Sequence, residues 1–164
     1  DFGALIARLL VFSTWRLALL GALREHRDPV LAAVAAKGVP ELAYHRDYAA
    51  QWLLRLAGGT DYSRERMRAG LAAIAPLVPE LFTGGPAERD LVAAGLAADP
   101  AALREEFDVV LASVLGQAGL SWPDAPGLRG VGGRGGRDGV HTEVMGYLLA
   151  ELQSVARAHP GATW

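Results

Sequence analysis

Between Ala4 and Leu23 the chain runs for twenty residues with only two charges, Arg8 and Arg16. That length equals the roughly 20 apolar residues that span a bilayer, so the run is either a membrane span or the central helix of a water-soluble bundle. Turned at about 100° per residue, Arg8, Ser13 and Arg16 share one arc of a helix, and Leu5, Leu9, Phe12, Leu19 and Leu20 take the remaining face. Two arginines near mid-bilayer cost several kcal/mol, whereas a bundle helix tolerates them along its solvent edge. The bundle reading is preferred, with no membrane contact.

Composition agrees. Ala and Leu supply about a third of the 164 residues and both are strong helix formers, while aromatic residues are only 7%. With 51% hydrophobic and 21% charged residues, the chain has ample material for one core, and a single helical domain over 1–164 is expected. The absence of cysteine removes disulfides, thiolate nucleophiles and cysteine-ligated metals, and leaves a cytoplasmic setting as the expectation. A net charge of −2 argues against nucleic acid as a partner. Lys37 is the sole lysine, so cationic contacts fall to arginine. The first residue is Asp rather than Met, which reads either as removal of the natural start or as a start inside a longer protein.

Punctuation divides the rest into helices. Arg24-Glu25-His26-Arg27 ends the first, and Asp28-Pro29 caps a second that runs to about Leu56, with a break or kink expected near Gly38 and Pro40. Ala57-Gly58-Gly59 closes it, and Thr60 or Ser63 opens a third with Met67, Leu71, Ile74 and Val78 inward. Pro76, Pro79 and Gly84-Gly85-Pro86 mark a turn-rich connection before a short helix over Ala87 to Ala98. After Asp99-Pro100 the stripe Leu103, Phe107, Val110, Leu111, Val114 and Leu115 is the clearest amphipathic signal. Ser121 to Gly139 reads as a long loop. A last helix spans Thr142 to Ala158, with Val144, Met145, Leu148, Leu149, Leu152 and Val155 toward a core and Glu143, Tyr147 and Glu151 in a polar row.

Helical redox domains commonly hold metal through Glu-x-x-His pairs, and no glutamate here has a histidine three residues on. The nearest approach is Glu41, Tyr44 and His45, which continue through Tyr48, Trp52 and Arg55 as one stripe. One Glu and one His do not fill a dinuclear shell, so the stripe is expected to form an inward, hydrogen-bonded buried network, with no metal or catalytic residue. Asp138 is expected to cap the last helix rather than ligate with His141. His141-Thr142-Glu143 lacks the cysteines of a zinc deaminase, and Gly127 to Arg137 lacks the Gly-Lys-Ser/Thr of a phosphate loop. That segment reads as a surface loop whose arginines suit an anionic ligand or an acidic partner.

The spaced set Glu41, Tyr44-His45, Trp52, Arg55-Leu56, Gly59-Thr60, Ser63 and Met67 resembles the PaaC family of phenylacetic acid degradation proteins. Gly136, His141-Thr142-Glu143, Leu148-Leu149, Glu151, Gln153, Arg157, Pro160-Gly161 and Trp164 resemble its C-terminal signature, in the same order. Glu80-Leu81-Phe82, Phe12, Trp15 and Arg27-Asp28-Pro29 extend the likeness over essentially the whole chain. Gly38-Val39-Pro40 and Ala57-Gly58-Gly59 depart from the pattern.

The resemblance implies an all-α, ferritin-like bundle, corresponding to the C-terminal two thirds of a subunit. It also implies a non-catalytic structural subunit of the multicomponent 1,2-phenylacetyl-CoA epoxidase, with the di-iron centre on a related PaaA subunit and no cofactor here. Arg134, Arg137, His141 and Glu143 are the candidates for contact with that partner or with acyl-CoA phosphates. Two alternatives stand beside it. A ferritin-like metal-dependent oxidase needs further ligands to join Glu41 and His45, and a helical binding module needs no redox partner.

Overall fold

The computed structural model describes residues 1–124, 136 and 139–163. These contain helices and no strand, in two compact units, Asp1–Gly127 and Leu128–Trp164. In the first unit α1 (Phe2–Ala22), α2 (Pro29–Gly58), α3 (Asp61–Ile74), α4 (Pro86–Ala93) and α5 (Arg104–Gln117) follow one another, with 3₁₀ turns at Ala75–Phe82 and Pro100–Leu103. The second unit carries α6 (Glu143–Leu152) and α7 (Ser154–Ala158).

The apolar run becomes α1, and α2 and α3 pack on it most extensively. Asp1 caps it, accepting from the Ala4 amide at 2.9 Å, and pairs with Arg66 of α3. Gly3 and Gly70 allow α1 and α3 to meet backbone to backbone. A Cβ at Gly70 would stand 2.7 Å from the Gly3 carbonyl oxygen, and one at Gly3 would stand 2.7 Å from the Arg66 carbonyl oxygen. The core beside this crossing is Ile6, Ala7, Leu10, Leu53, Met67 and Leu71, closed from α5 by Phe107, Leu111 and Leu115.

The orientation of α1 corrects the sequence reading. Ser13 is buried, its Oγ donating to the Leu9 carbonyl at 2.6 Å, which satisfies the hydroxyl locally and lets it turn inward. Leu5 and Phe12 are instead about half exposed. Angular spacing explains this: at about 100° per residue both fall between Arg8 and Arg16, so the arginines carry them to the outer surface. α1 is long and apolar enough to cross a membrane by composition, but just over half of that window, 56%, is buried within the fold.

α2 has no break at Gly38 and Pro40 and is a single helix through both. Asp28 caps it through the amides of Val30 and Leu31, at 2.8 and 3.3 Å. Gly38 serves as a notch: a Cβ there would lie 2.4 Å from the Leu20 Cδ1 atom that fills it. The helix ends at a built corner. Thr60 and Ser63 form reciprocal capping bonds of 3.1 and 3.0 Å, and the Ser63 hydroxyl donates to the Leu56 carbonyl at 2.7 Å. Arg64 donates to the carbonyls of Ala57 at 2.8 Å and Gly119 at 2.7 Å, tying the ends of α2 and α5 together.

The proline-rich connection forms 3₁₀ turns, and Val78 is buried as expected. Asp99 caps the next turn through the Ala101 amide at 3.0 Å. The last helix divides at Gln153 into α6 and α7, and its stripe does not meet a core within its own unit: Val144, Leu148, Leu149, Leu152 and Val155 are all exposed. The Asp138 cap lies outside the described residues.

Two measurements test this packing. Gly70→Ala should destabilise by about 1–3 kcal/mol because backbone cannot yield to the new methyl. By contrast Gly116→Ala, in open space on α5, should stabilise by about 0.5–1 kcal/mol. Denaturant midpoints read both. Thr14 is buried with its hydroxyl unpartnered, so Thr14→Val should raise stability by about 1 kcal/mol, seen as a higher melting temperature.

Candidate functional site

α2 buries Ala35, Ala49, Leu53 and Ala57. At about 100° per residue, the centre of the stripe from Glu41 to Arg55 lies about 130° around the helix from the centre of that buried arc. The expected inward network is therefore absent. Glu41, Tyr44, His45, Tyr48 and Arg55 are exposed, and Trp52 is partly buried. What they form is a ladder of rings: Tyr44 and Tyr48 have centroids 6.5 Å apart, and Tyr48 and Trp52 are 6.3 Å apart. Phe2 of α1 meets Trp52 edge-on at 5.1 Å, while the Arg55 guanidinium lies 5.2 Å from the Trp52 ring centroid.

The Phe2–Trp52 contact connects this ladder to the outer arc of α1, where Leu5, Leu9 and Phe12 are exposed or half-buried. Along the flank of that arc away from Trp52, Phe12 joins Arg8, Val11, Ile74, Leu77 and Leu81 around a shallow groove of about 120 Å³. α1 thus runs through the middle of an open apolar face, bordered by the aromatic ladder on one side and the 3₁₀ turns on the other. Arg8 and Arg16 stand within it as the exposed charges of α1. A second, more polar groove of about 450 Å³ lies between α2 and α5, with Ala50, Leu54, Val110 and Val114 among its lining and Arg46, Asp47, Gln51 and Gln117 around them.

Among the described residues no three His, Asp or Glu side chains gather as a metal site. Glu41 and His45 offer two donors on an open helix face, which does not fit the carboxylate-rich shell of a dinuclear centre. His141 is exposed just before α6, and Glu143 accepts a hydrogen bond of 3.0 Å from the Tyr147 hydroxyl. Arg134 and Arg137 lie outside the described residues.

The motif residues of α2 and α3 therefore divide by role. Gly59, Thr60 and Ser63 build the corner, where a Cβ on Gly59 would come within 2.8 Å of the Ser63 hydroxyl, and Met67 fills the core. Glu41, Tyr44, His45 and Arg55 face outward. Sequence reasoning missed Leu5 and Phe12 as surface residues; their angular position between two arginines was the available signal.

The family described as phenylacetic acid catabolic protein (PaaA/PaaC) matches residues 1–164. The chain is 35% identical over 164 residues to a protein of Escherichia coli (strain K12) named as a subunit of 1,2-phenylacetyl-CoA epoxidase, covering 100% of this chain and 64% of the relative. The chain spans just under two thirds of that relative's length. With a helical fold and a match along its entire length, the chain belongs to the phenylacetic acid catabolic protein family.

Proposed function

We propose that this chain is a non-catalytic structural subunit of a ring-epoxidising monooxygenase acting on phenylacetyl-CoA, working in the cytoplasm beside a di-iron catalytic subunit. The observation that carries the reading is the open apolar face of α1. Phe2, Leu5 and Phe12 are 40–53% exposed along one helix, a concentration of large apolar side chains suited to a partner surface. The relative's place as one subunit of an epoxidase supplies the chemical context. Two donors at Glu41 and His45, with no third among the described residues, favour a supporting role over an independent oxidase, and no cofactor is assigned to this subunit.

In this reading α1 packs against the catalytic subunit through Leu5, Leu9 and Phe12. A helical subunit placed there restrains the helices that carry the metal and keeps water from the oxidant. Exposed arginines at positions 8 and 16 within the apolar face favour carboxylates on the partner at its edge. His141 and Glu143 at the start of α6, with Arg134 and Arg137 before them, are assigned to contact with the partner or with the acyl-CoA phosphates.

Co-expression of the full-length protein with the catalytic subunit tests the assignment. A stable complex is expected, with phenylacetyl-CoA epoxidation dependent on both chains; stoichiometric iron in this subunit purified alone would overturn it. Phe12→Asp should abolish co-elution and leave the melting temperature nearly unchanged, because Phe12 is half exposed. Glu41→Ala and His45→Ala should each alter stability by no more than about 0.5 kcal/mol in denaturant titrations, as surface substitutions do.

A further inference from the structure

In a chain without cysteine, tyrosine and tryptophan are the side chains most readily oxidised by one electron, and α2 aligns three of them at successive turns. Tyr44, Tyr48 and Trp52 follow at spacings of four residues, with ring centroids 6.5 and 6.3 Å apart. Electron exchange between rings this close is fast compared with protein motion. The series has a beginning and an end. Beyond Trp52 stands Phe2, which is much harder to oxidise, and exposure rises from the partly buried Trp52 through Tyr48 at 40% to Tyr44 at 65%.

It also has a direction. The Arg55 guanidinium lies 5.2 Å from the centroid of Trp52, an arrangement that stabilises the neutral ring and opposes a positive charge on it. A tyrosine avoids that penalty by releasing its phenolic proton as it is oxidised. Neither Tyr44 nor Tyr48 donates its hydroxyl to another described residue, and both are exposed, so both are free to give the proton to water.

We propose that Trp52, Tyr48 and Tyr44 form a one-way relay that carries an oxidising equivalent from the Phe2 end of α2 to solvent. An oxygen-derived one-electron oxidant takes one electron from Trp52 and is reduced by one, leaving the tryptophan radical cation. Tyr48 returns an electron to Trp52 and loses its proton to water, becoming a neutral radical. Tyr44 then gives an electron to Tyr48, which regains a proton from water, and releases its own phenolic proton to water to become the neutral radical in turn. A thiol in solution donates a hydrogen atom to Tyr44, restoring the phenol and leaving a thiyl radical outside the protein. The relay itself follows from the geometry of α2. Only the source of the oxidant, a monooxygenase docked on the adjoining α1 face, rests on the function proposed above.

The relay is testable without that partner. The chain has no cysteine and four tyrosines, so Gly58→Cys gives a unique attachment point for a ruthenium polypyridyl photo-oxidant. A Cβ at position 58 meets nothing within 4 Å. In a Tyr62→Phe, Tyr147→Phe background, only the ladder tyrosines remain. Flash oxidation should then yield a tyrosyl radical by electron paramagnetic resonance. Tyr48→Phe should reduce that yield several-fold and leave a tryptophanyl signal in its place, and Trp52→Phe should suppress the tyrosyl signal. Arg55→Gln should prolong the tryptophanyl intermediate. Circular dichroism of each variant establishes that the helices are retained. A tyrosyl yield unchanged by Trp52→Phe and by Tyr48→Phe would overturn the relay. A working relay in a protein that fails to bind the catalytic subunit would leave the relay standing and remove the proposed function.

Discussion

The contact between the α1 and α3 backbones at Gly3 and Gly70 fixes the arrangement of the first unit. With carbonyl oxygens 2.7 Å from where each Cβ would stand, the two helices approach as closely as their main chains allow. That approach brings Met67 and Leu71 of α3 against Ile6, Ala7 and Leu10 of α1. It also decides which part of α1 is inside. Once the Gly3 side faces α3 and the Leu20 side seats in the Gly38 notch of α2, the arc bearing Leu5, Arg8, Phe12 and Arg16 has to point outward. The open face is thus a consequence of the packing rather than a separate feature added to it.

Sequence alone made the helical class legible, together with most of the local punctuation. Asp28, Thr60 and Asp99 cap as their positions predict, because capping depends on residues two or three apart and little else. The amphipathic stripe of α5 is likewise inward at Phe107, Leu111 and Leu115. Errors arose where an outcome depends on a neighbouring helix. Gly38 and Pro40 read locally as a kink or break, yet one helix runs through both, with Leu20 seated against Gly38. Ser13 reads as surface, yet an internal bond to the Leu9 carbonyl removes the penalty for burying it.

The candidate site was legible as a set of residues but not as a place. Counting offsets from Glu41 identifies the stripe correctly, since periodicity gives residues that share a face. It does not tell which way the face turns. That is settled by Ala35, Ala49, Leu53 and Ala57, small or aliphatic residues that let α2 sit close to its neighbours and direct the ladder away from them. Small residues carry little weight in a hydrophobic pattern, although they determine the close contacts, so the larger rings of the stripe drew the inward assignment.

Exposure of the ladder gives the family pattern a physical division. Gly59, Thr60, Ser63 and Met67 are explained by the corner and the core, because each makes a contact the fold requires. Tyr44, His45 and Glu41 are exposed instead, with the Tyr44 ring beside those of His45 and Tyr48. Residues of the first kind account for how this chain folds. Those of the second kind, placed beside an apolar face on α1 and tied to it through Phe2 and Trp52, are where recognition or chemistry has to be sought. The same reasoning applies to α6, whose exposed leucines place a second apolar surface in the Leu128–Trp164 unit. A ten-residue helix has little stability from its backbone alone, so its apolar stripe requires packing to persist. Large apolar side chains are thus exposed on α1 of the first unit and on α6 of the second.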